Sequence, residues 1–240
     1  MAIDILLTVL ITSAIQSIFG VGVLLFGTPL LLLLGYDFTN ALGVLLPISI
    51  AINCLQVIKH YQHIDLDFYK KVLIYTIPLV ILFLIIGVSN KINIGLLVGA
   101  FLVFVALKNS VRKIETALDK LVKYERSYLA VMGLIHGLTN LGGSLLTAIV
   151  HGKNYDKDQT RVTVAICYAT FAVFQLITLF LLDVPSLLSL SDHASFLQVG
   201  VIVFLLTEEI LYTQIDNKRY TQIFAAFLFI SGLLLVGKSL

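Results

Sequence analysis

Charge is what this sequence has least of. Only 12% of its 240 residues are charged while 59% are hydrophobic, against about 25% charged in an ordinary soluble domain. A soluble domain of this size needs a polar skin, and there is too little charge here to make one. The charges are also clustered, and the runs Met1–Gly35, Phe38–Ile58, Val72–Val88 and Ile92–Leu107 hold almost none. A hydrocarbon core ~30 Å thick takes roughly 20 apolar residues of helix, and these runs suit that length. Strand-length alternation of polar and apolar residues is missing, which argues against a membrane β-barrel. The expectation is an all-α polytopic membrane protein whose constant partner is the lipid bilayer.

Other absences narrow the function. The two cysteines, Cys54 and Cys167, both fall inside apolar stretches, so neither a disulfide framework nor a metal site is suggested. No basic segment precedes the first apolar run, which reads as a retained membrane segment rather than a cleaved signal. The net charge of +2 comes from basic residues flanking apolar runs and carries no message about nucleic acid. No Asp or Glu falls mid-span, since Glu208 and Glu209 sit at a helix end; a carboxylate proton relay of the common transporter type is not expected. No ATP-binding motif is present, and nothing calls for a cofactor.

Polar punctuation divides the chain into hydrophobic stretches at roughly 2–35, 38–59, 68–88, 92–107, 127–150, 160–182, 194–208 and 219–237. Between the fourth and fifth lies a charged linker, 108–126, whose Val111, Ile114, Leu118 and Leu121 share one helix face. Both an interfacial amphipathic helix and a solvated connector fit that spacing. The linker separates residues 1–107 from 127–240, and these two halves resemble each other at an offset of about 120 residues. Gln16-Ser-Ile-Phe-Gly-Val-Gly22 stands opposite His136-Gly-Leu-Thr-Asn-Leu-Gly142. In each half a glycine-interrupted stretch comes first and three ordinary spans follow.

Positive residues prefer the cytoplasm. Placing loops 59–71 and 151–161, the linker and loop 208–219 inside puts 14 of the 16 basic residues there. The stretch 127–150 must then enter and leave on the cytoplasmic side as a re-entrant pair of half-helices broken at Thr139–Gly143. By analogy 2–35 becomes a hairpin that opens outside, the alternative being a broken full span, since the 18 residues of 2–19 are long enough to cross alone. Each half then has an odd number of full spans, and two such halves face opposite ways as inverted repeats.

The two interruptions are the best candidates for chemistry. The first reads Gly20-Val-Gly22, then Gly27-Thr28-Pro29; the second reads Thr139-Asn140-Leu-Gly142-Gly143-Ser144. Unwound backbone at membrane depth is tolerated only inside protein or beside a water-filled cavity. Half-helix N-termini offer N–H groups and a positive dipole end, which suit an anion. Pro29 is expected at a half-helix start, where its missing N–H costs little. The competing reading is close helix packing at small residues. Asn53, Gln56, Tyr168, Thr170 and Gln175 lie within spans, where each either bridges helices or lines a pathway. His136 can hold a proton, contact an anion or donate to a carbonyl. His60, His63, Asp65 and Asp67 read as surface residues rather than a metal site. Ser144 with His136 or His151 is the one pair an intramembrane hydrolase could use, and no third orienting group accompanies it.

Gly20-Val-Gly22…Pro29-Leu-Leu followed by Asn40-Ala41-Leu-Gly43, and Gly133…Gly137…Asn140-Leu-Gly142-Gly143, resemble the duplicated glycine motifs of the TauE/SafE-type sulfite exporter family, also called the 4-toluene sulfonate uptake permeases. The similarity runs from about residue 8 to 237. The chain departs from the pattern at Val23-Leu24, where the family often continues with glycine, and at Ile149, near the place of a second Pro. The resemblance implies a multi-pass protein of the cytoplasmic membrane that carries small, often sulfur-containing, anions. The expected substrate-binding set is Gly20, Gly22, Gly27, Thr28, Pro29, Asn53, Gln56, His136, Thr139, Asn140, Gly142, Gly143 and Ser144. A non-transporting scaffold and an intramembrane hydrolase stay open as alternatives, as does association into a homo-oligomer.

Overall fold

A computed structural model describes residues 2–20, 22–90, 92–107, 123–153, 155–185, 188–211 and 217–240. Among these there is no strand, and the helices are α1 (Ile3–Phe19), α2 (Val23–Leu34), α3 (Phe38–His60), α4 (Leu66–Tyr75), α5 (Ile77–Ser89), α6 (Ile94–Leu107), α7 (Glu125–Thr139), α8 (Gly143–His151), α9 (Lys157–Leu181), α10 (Leu190–Leu211) and α11 (Asn217–Ser239). Four segments, Phe38–His63, Leu66–Ser89, Lys157–Leu181 and Leu190–Glu208, are each long and apolar enough to cross a membrane. The chain is an integral membrane protein. Val111, Ile114, Leu118 and Leu121 of the linker lie outside the described residues, while Glu125 and Arg126, assigned to the linker from sequence, open α7.

Local chemistry sets the helix ends. Asp65 caps α4 by accepting from the amides of Asp67 and Phe68, and Asp156 caps α9 by accepting from the Gln159 amide; each such cap is worth about 1 kcal/mol. Three helices stop at a left-handed residue: α1 at Gly20 (φ 70°), α2 at Gly35 (φ 100°) and α7 at Asn140 (φ 61°). Those are the residue types that reach this region at least cost. The stretch 68–88 is not a plain helix. It is interrupted at Thr76, two residues before Pro78, and the Thr76 hydroxyl donates to the Leu129 carbonyl of α7 at 3.0 Å.

Cross-links fix which helix ends lie together. At one end, Asp4 at the start of α1 accepts from the Tyr36 hydroxyl just past α2, at 2.7 Å. Lys238 at the end of α11 donates to the carbonyls of Leu32 and Leu33, both at 3.1 Å, and Asn93 before α6 donates to Ser239 at 2.8 Å. At the other end, Glu125 of α7 pairs with Lys153 beyond α8 at 2.7 Å and with Lys71 of α4 at 2.5 Å. His60 of α3 meets Asp158 of α9, and Asp65 accepts from the Tyr155 hydroxyl. This second end holds most of the described basic residues. Hairpin α1–α2 therefore opens at one end of the bundle and hairpin α7–α8 at the other.

The packing has a reciprocal pattern. α3 runs antiparallel to α9 at the centre, and α6 runs antiparallel to α11. α1 lies along α10, while α7 lies along α5. Small residues make these contacts close. A Cβ on Gly99 would stand 2.8 Å from the Gly232 carbonyl oxygen, and one on Gly133 would stand 2.6 Å from the Thr76 carbonyl oxygen. Exposed Ile3, Leu7, Ile58, Ile74, Phe180 and Leu206 turn outward, and Thr12, Ser13, Gln16, Ser49, Asn53, Gln56 and His136 are buried. That distribution suits lipid, which cannot satisfy a polar group.

Candidate functional site

At the first interruption α1 ends on Gly20 and α2 begins at Val23, and the Gln16 side chain closes the gap. Its Nε2 donates to the Gly20 carbonyl at 2.8 Å and to Asn53 Oδ1 on α3 at 3.3 Å, while its Oε1 accepts from the amides of Gly22 and Val23, the latter at 3.0 Å. The first N–H groups of the half-helix are thus spent on an internal amide. From Gln16 a polar chain continues along α3. Asn53 Nδ2 donates to Ser49 Oγ at 3.0 Å. With the Gln56 amide turned so that its oxygen meets donors and its nitrogen meets acceptors, Gln56 donates to Asn53 Oδ1 at 3.1 Å and accepts from Arg161 Nε at 3.2 Å and Nη2 at 3.1 Å. Arg161 Nη2 then pairs with Glu208 at 2.7 Å, both side chains at least nine-tenths buried.

At the second interruption, Asn140 turns the chain between α7 and α8. The Leu141 amide donates to Thr139 Oγ1 at 3.2 Å, and Ser144 Oγ donates to the Leu141 carbonyl at 3.1 Å. His136 Nε2 faces Gln175 Oε1 of α9 at 3.1 Å, with the ring packed on Phe171 at 4.6 Å between centroids. Gly143 lies against the Tyr168 hydroxyl so closely that a Cβ there would overlap it. His136 Nδ1, Asn140 Oδ1 and Gln175 Nε2 are buried and have no hydrogen-bond partner among the described residues. Buried polar groups are normally paired, and each one left over costs about 1–3 kcal/mol.

The two interruptions are joined by one side-chain bond, Asn140 Nδ2 to Thr28 Oγ1 at 2.9 Å, across 112 residues of sequence. The contact falls on α2, past the first break, and not on the break itself. The predicted residues consequently form two groups. Gly20, Gly22, Asn53 and Gln56 surround the Gln16 amide, whereas Thr28, His136, Thr139, Asn140, Gly142, Gly143 and Ser144 surround the second turn. Along the antiparallel α3–α9 pair the groups are separated by about ten residues, or ~15 Å at 1.5 Å per residue. Gly27 serves packing: a Cβ there would come within 2.8 Å of Leu45 on α3.

Pro29 differs from expectation. It lies inside α2, seven residues into the helix, and not at a half-helix start. There its missing N–H removes one backbone hydrogen bond from the helix. Ser144 is spent on the Leu141 carbonyl and His136 faces Gln175, so they do not form a nucleophile–base pair.

A cavity of about 580 Å³ opens at the end of the bundle away from the basic loops. Tyr36, Asn40, Pro47, Leu176, Phe180 and His193 are among its walls, and none of the predicted site residues lines it. Its floor at Pro47 and Leu176 lies beside the Gln175 turn of α9.

Two residues central to this geometry escaped the sequence reading. Gln16 opens the first glycine motif as a lone amide in an apolar helix, which is the signal that marked Asn53 and Gln56. Arg161 reads as part of a basic loop because Lys153 and Lys157 precede it. The Asp156 cap, which starts α9 at Lys157, places Arg161 more than one turn inside a helix.

Comparison with known sequences agrees with this architecture. The sulfite exporter TauE/SafE family matches residues 5–235. No curated protein and no solved structure gives a match. With nearly the whole chain matched, and with buried polar interruptions inside an apolar helical bundle, the protein belongs to the TauE/SafE sulfite exporter family of membrane transporters.

Proposed function

We propose that this chain is a secondary permease that carries a small anion, sulfur-containing as in sulfite or a sulfonate, across the cytoplasmic membrane by alternating access. The observation that carries the reading is the Asn140–Thr28 bond, which ties the interrupted helix of one half to that of the other inside a buried polar region. Three orphaned polar atoms beside it, on His136, Asn140 and Gln175, supply hydrogen-bond capacity that a polar substrate would use. Gly142 and Gly143 let the chain pass close to that point, and the start of α8 adds the positive end of a helix dipole. The substrate reaches the region from the cavity beside Pro47 and Leu176.

In this reading residues 1–107 and 127–240 are inverted repeats joined by a cytoplasmic linker at 108–126. The opposite openings of the two hairpins support it, as do the antiparallel α3–α9 and α6–α11 pairs. A two-fold axis in the membrane plane turns equivalent helices antiparallel, and an axis along the normal does not. The equivalences Thr28/Thr147, Asp37/Asp156 and Gln56/Gln175, all at an offset of about 120 residues, extend the match between glycine motifs. Alternating access follows from rocking of one half on the other about the α3–α9 contact.

The test is flux through variants in proteoliposomes. Gly142→Leu and Asn140→Gly proteins that insert and stay folded are expected to lose at least tenfold in saturable sulfur-anion flux. Native flux through both would remove the second turn from the site.

A further inference from the structure

The polar chain at the first break ends in a buried ion pair. Arg161 enters from α9, and its Cγ would lie 3.9 Å from a Cβ placed on Gly20, so its stem rests against the turn that ends α1. Its guanidinium meets Gln56 on one side and Glu208 of α10 at 2.7 Å on the other. The desolvation cost of two buried charges can exceed their mutual attraction, so a buried ion pair is weak evidence of a purely stabilising role. This pair couples an anion-recognising group to a buried carboxylate, the only acidic residue in the buried class among the described residues. Glu208 is faced by Arg161 from α9 and, at 3.8 Å, by Lys59 from α3. α1, which also packs on α10, carries Asp4 at its far end as its one charged residue. His60 lies further along α3, beside Asp158.

We propose that Arg161 is the counter-charge of the transported anion on the basic side of the first break, and that Glu208 holds its place when no anion is bound. This rests on the permease reading above and names its coupling ion. A guanidinium presents paired N–H donors that match carboxylate and oxyanion alike, so Glu208 and substrate compete for the same face. When the anion arrives, Glu208 takes one proton from water and becomes a neutral carboxyl. One guanidinium–oxyanion contact replaces another. For a monovalent anion the net charge of the site is the same before and after. One proton therefore travels with each monoanion, in the same direction, and the step moves no net charge.

A carboxylate relay is not expected from sequence, because Glu208 stands at the end of an apolar stretch. Burial of its carboxylate beside the Arg161 guanidinium changes its chemical setting.

The experiment uses the full chain and an alkyl sulfonate, whose charge does not change over the working pH range, so that pH acts on the protein alone. Binding of radiolabelled methanesulfonate to the wild type is expected to tighten as pH falls, by up to roughly tenfold per unit while the carboxyl is ionised, because one proton is taken up on binding. In proteoliposomes an imposed pH gradient drives flux and an imposed membrane potential does not. Glu208→Gln keeps the volume and removes the competitor. Its binding becomes insensitive to pH, and added methanesulfonate raises its unfolding midpoint more than that of the wild type. His60→Gln retains the wild-type pH dependence. Because loss of one ionic partner can unfold the bundle, the paired variant Arg161→Gln/Glu208→Gln provides a neutral pair, which is expected to fold and to bind at least tenfold more weakly than Glu208→Gln. The proposal is overturned if Glu208→Gln keeps the wild-type pH dependence, if His60→Gln abolishes it, or if the neutral pair binds as well as Glu208→Gln. Wild-type flux together with any of these removes the coupling role alone, whereas folded wild type that carries no sulfur anion removes the permease reading as well.

Discussion

Asn140 does two things at once, and substitutions can separate them. Its backbone sits at φ 61°, and its side chain makes the bond to Thr28. Asn140→Ala disturbs both, because a left-handed conformation costs an ordinary L-residue roughly 1–2 kcal/mol. Loss of an interhelical hydrogen bond in a membrane protein adds about 0.6 kcal/mol, and at most about 1.7. The expected destabilisation is roughly 2–4 kcal/mol by addition of these two effects. Asn140→Gly keeps the backbone free and removes the bond alone, so it should lose only about 0.6–1.7 kcal/mol. Thr28→Val removes the partner hydroxyl at nearly constant shape. Its loss should not add to that of Asn140→Gly, leaving a coupling of about 0.6–1.7 kcal/mol in the double-mutant cycle. The chain has no Trp, so unfolding in mixed detergent micelles is best followed by circular dichroism. Equal stability of the Ala and Gly variants would refute the backbone argument. Strict additivity of Thr28→Val and Asn140→Gly would refute the link between the two halves.

Other residues give shorter tests. Gly99→Ala places a methyl against the Gly232 backbone and should destabilise by about 1–3 kcal/mol as overpacking does; an unchanged unfolding midpoint would disprove the close α6–α11 contact. Gln16→Leu takes the acceptor from the Gly22 and Val23 amides and should cost about 1–3 kcal/mol, read in the same assay. Asp65 provides a pH test. Burial pushes its carboxyl up, but the Phe68 amide, the Tyr155 hydroxyl, Lys153 and the Asp67 amide outweigh that and hold it below its ordinary value of 3.8. The carboxylate therefore contributes stability above pH 3.8 that is lost as pH falls through the lower folded value. Asp65→Asn should flatten that acid-side loss, and an unaltered acid profile would show that Asp65 is not its source.

Much of the fold was legible because lipid imposes simple rules. Helix-length apolar runs located α3, α9 and α10, and the distribution of lysine and arginine separated the ends of the bundle. The interruption at Thr139–Gly143 was visible because glycine, Asn and Ser cluster where an apolar run should continue. Sequence could not reveal that the Gln16 side chain satisfies the first break from six residues upstream, since that depends on a folded turn. Nor could it show that Arg161 and Glu208, each near a helix end and 47 positions apart in sequence, are buried together, because α9 and α10 meet only in three dimensions. Pro29 was misplaced for a related reason: the half-helix begins at Val23, directly after the Gln16-stabilised turn and not at the proline. Thr76 was overlooked because an apolar run with a proline reads as one span, and the partner that stabilises its interruption lies on α7.

The most direct measurement is flux of radiolabelled sulfite and of a simple sulfonate by the purified wild-type chain in proteoliposomes, against empty vesicles. The account predicts saturable flux that other sulfur anions compete away. Flux no greater than that of empty vesicles, from protein shown to be folded, would contradict it.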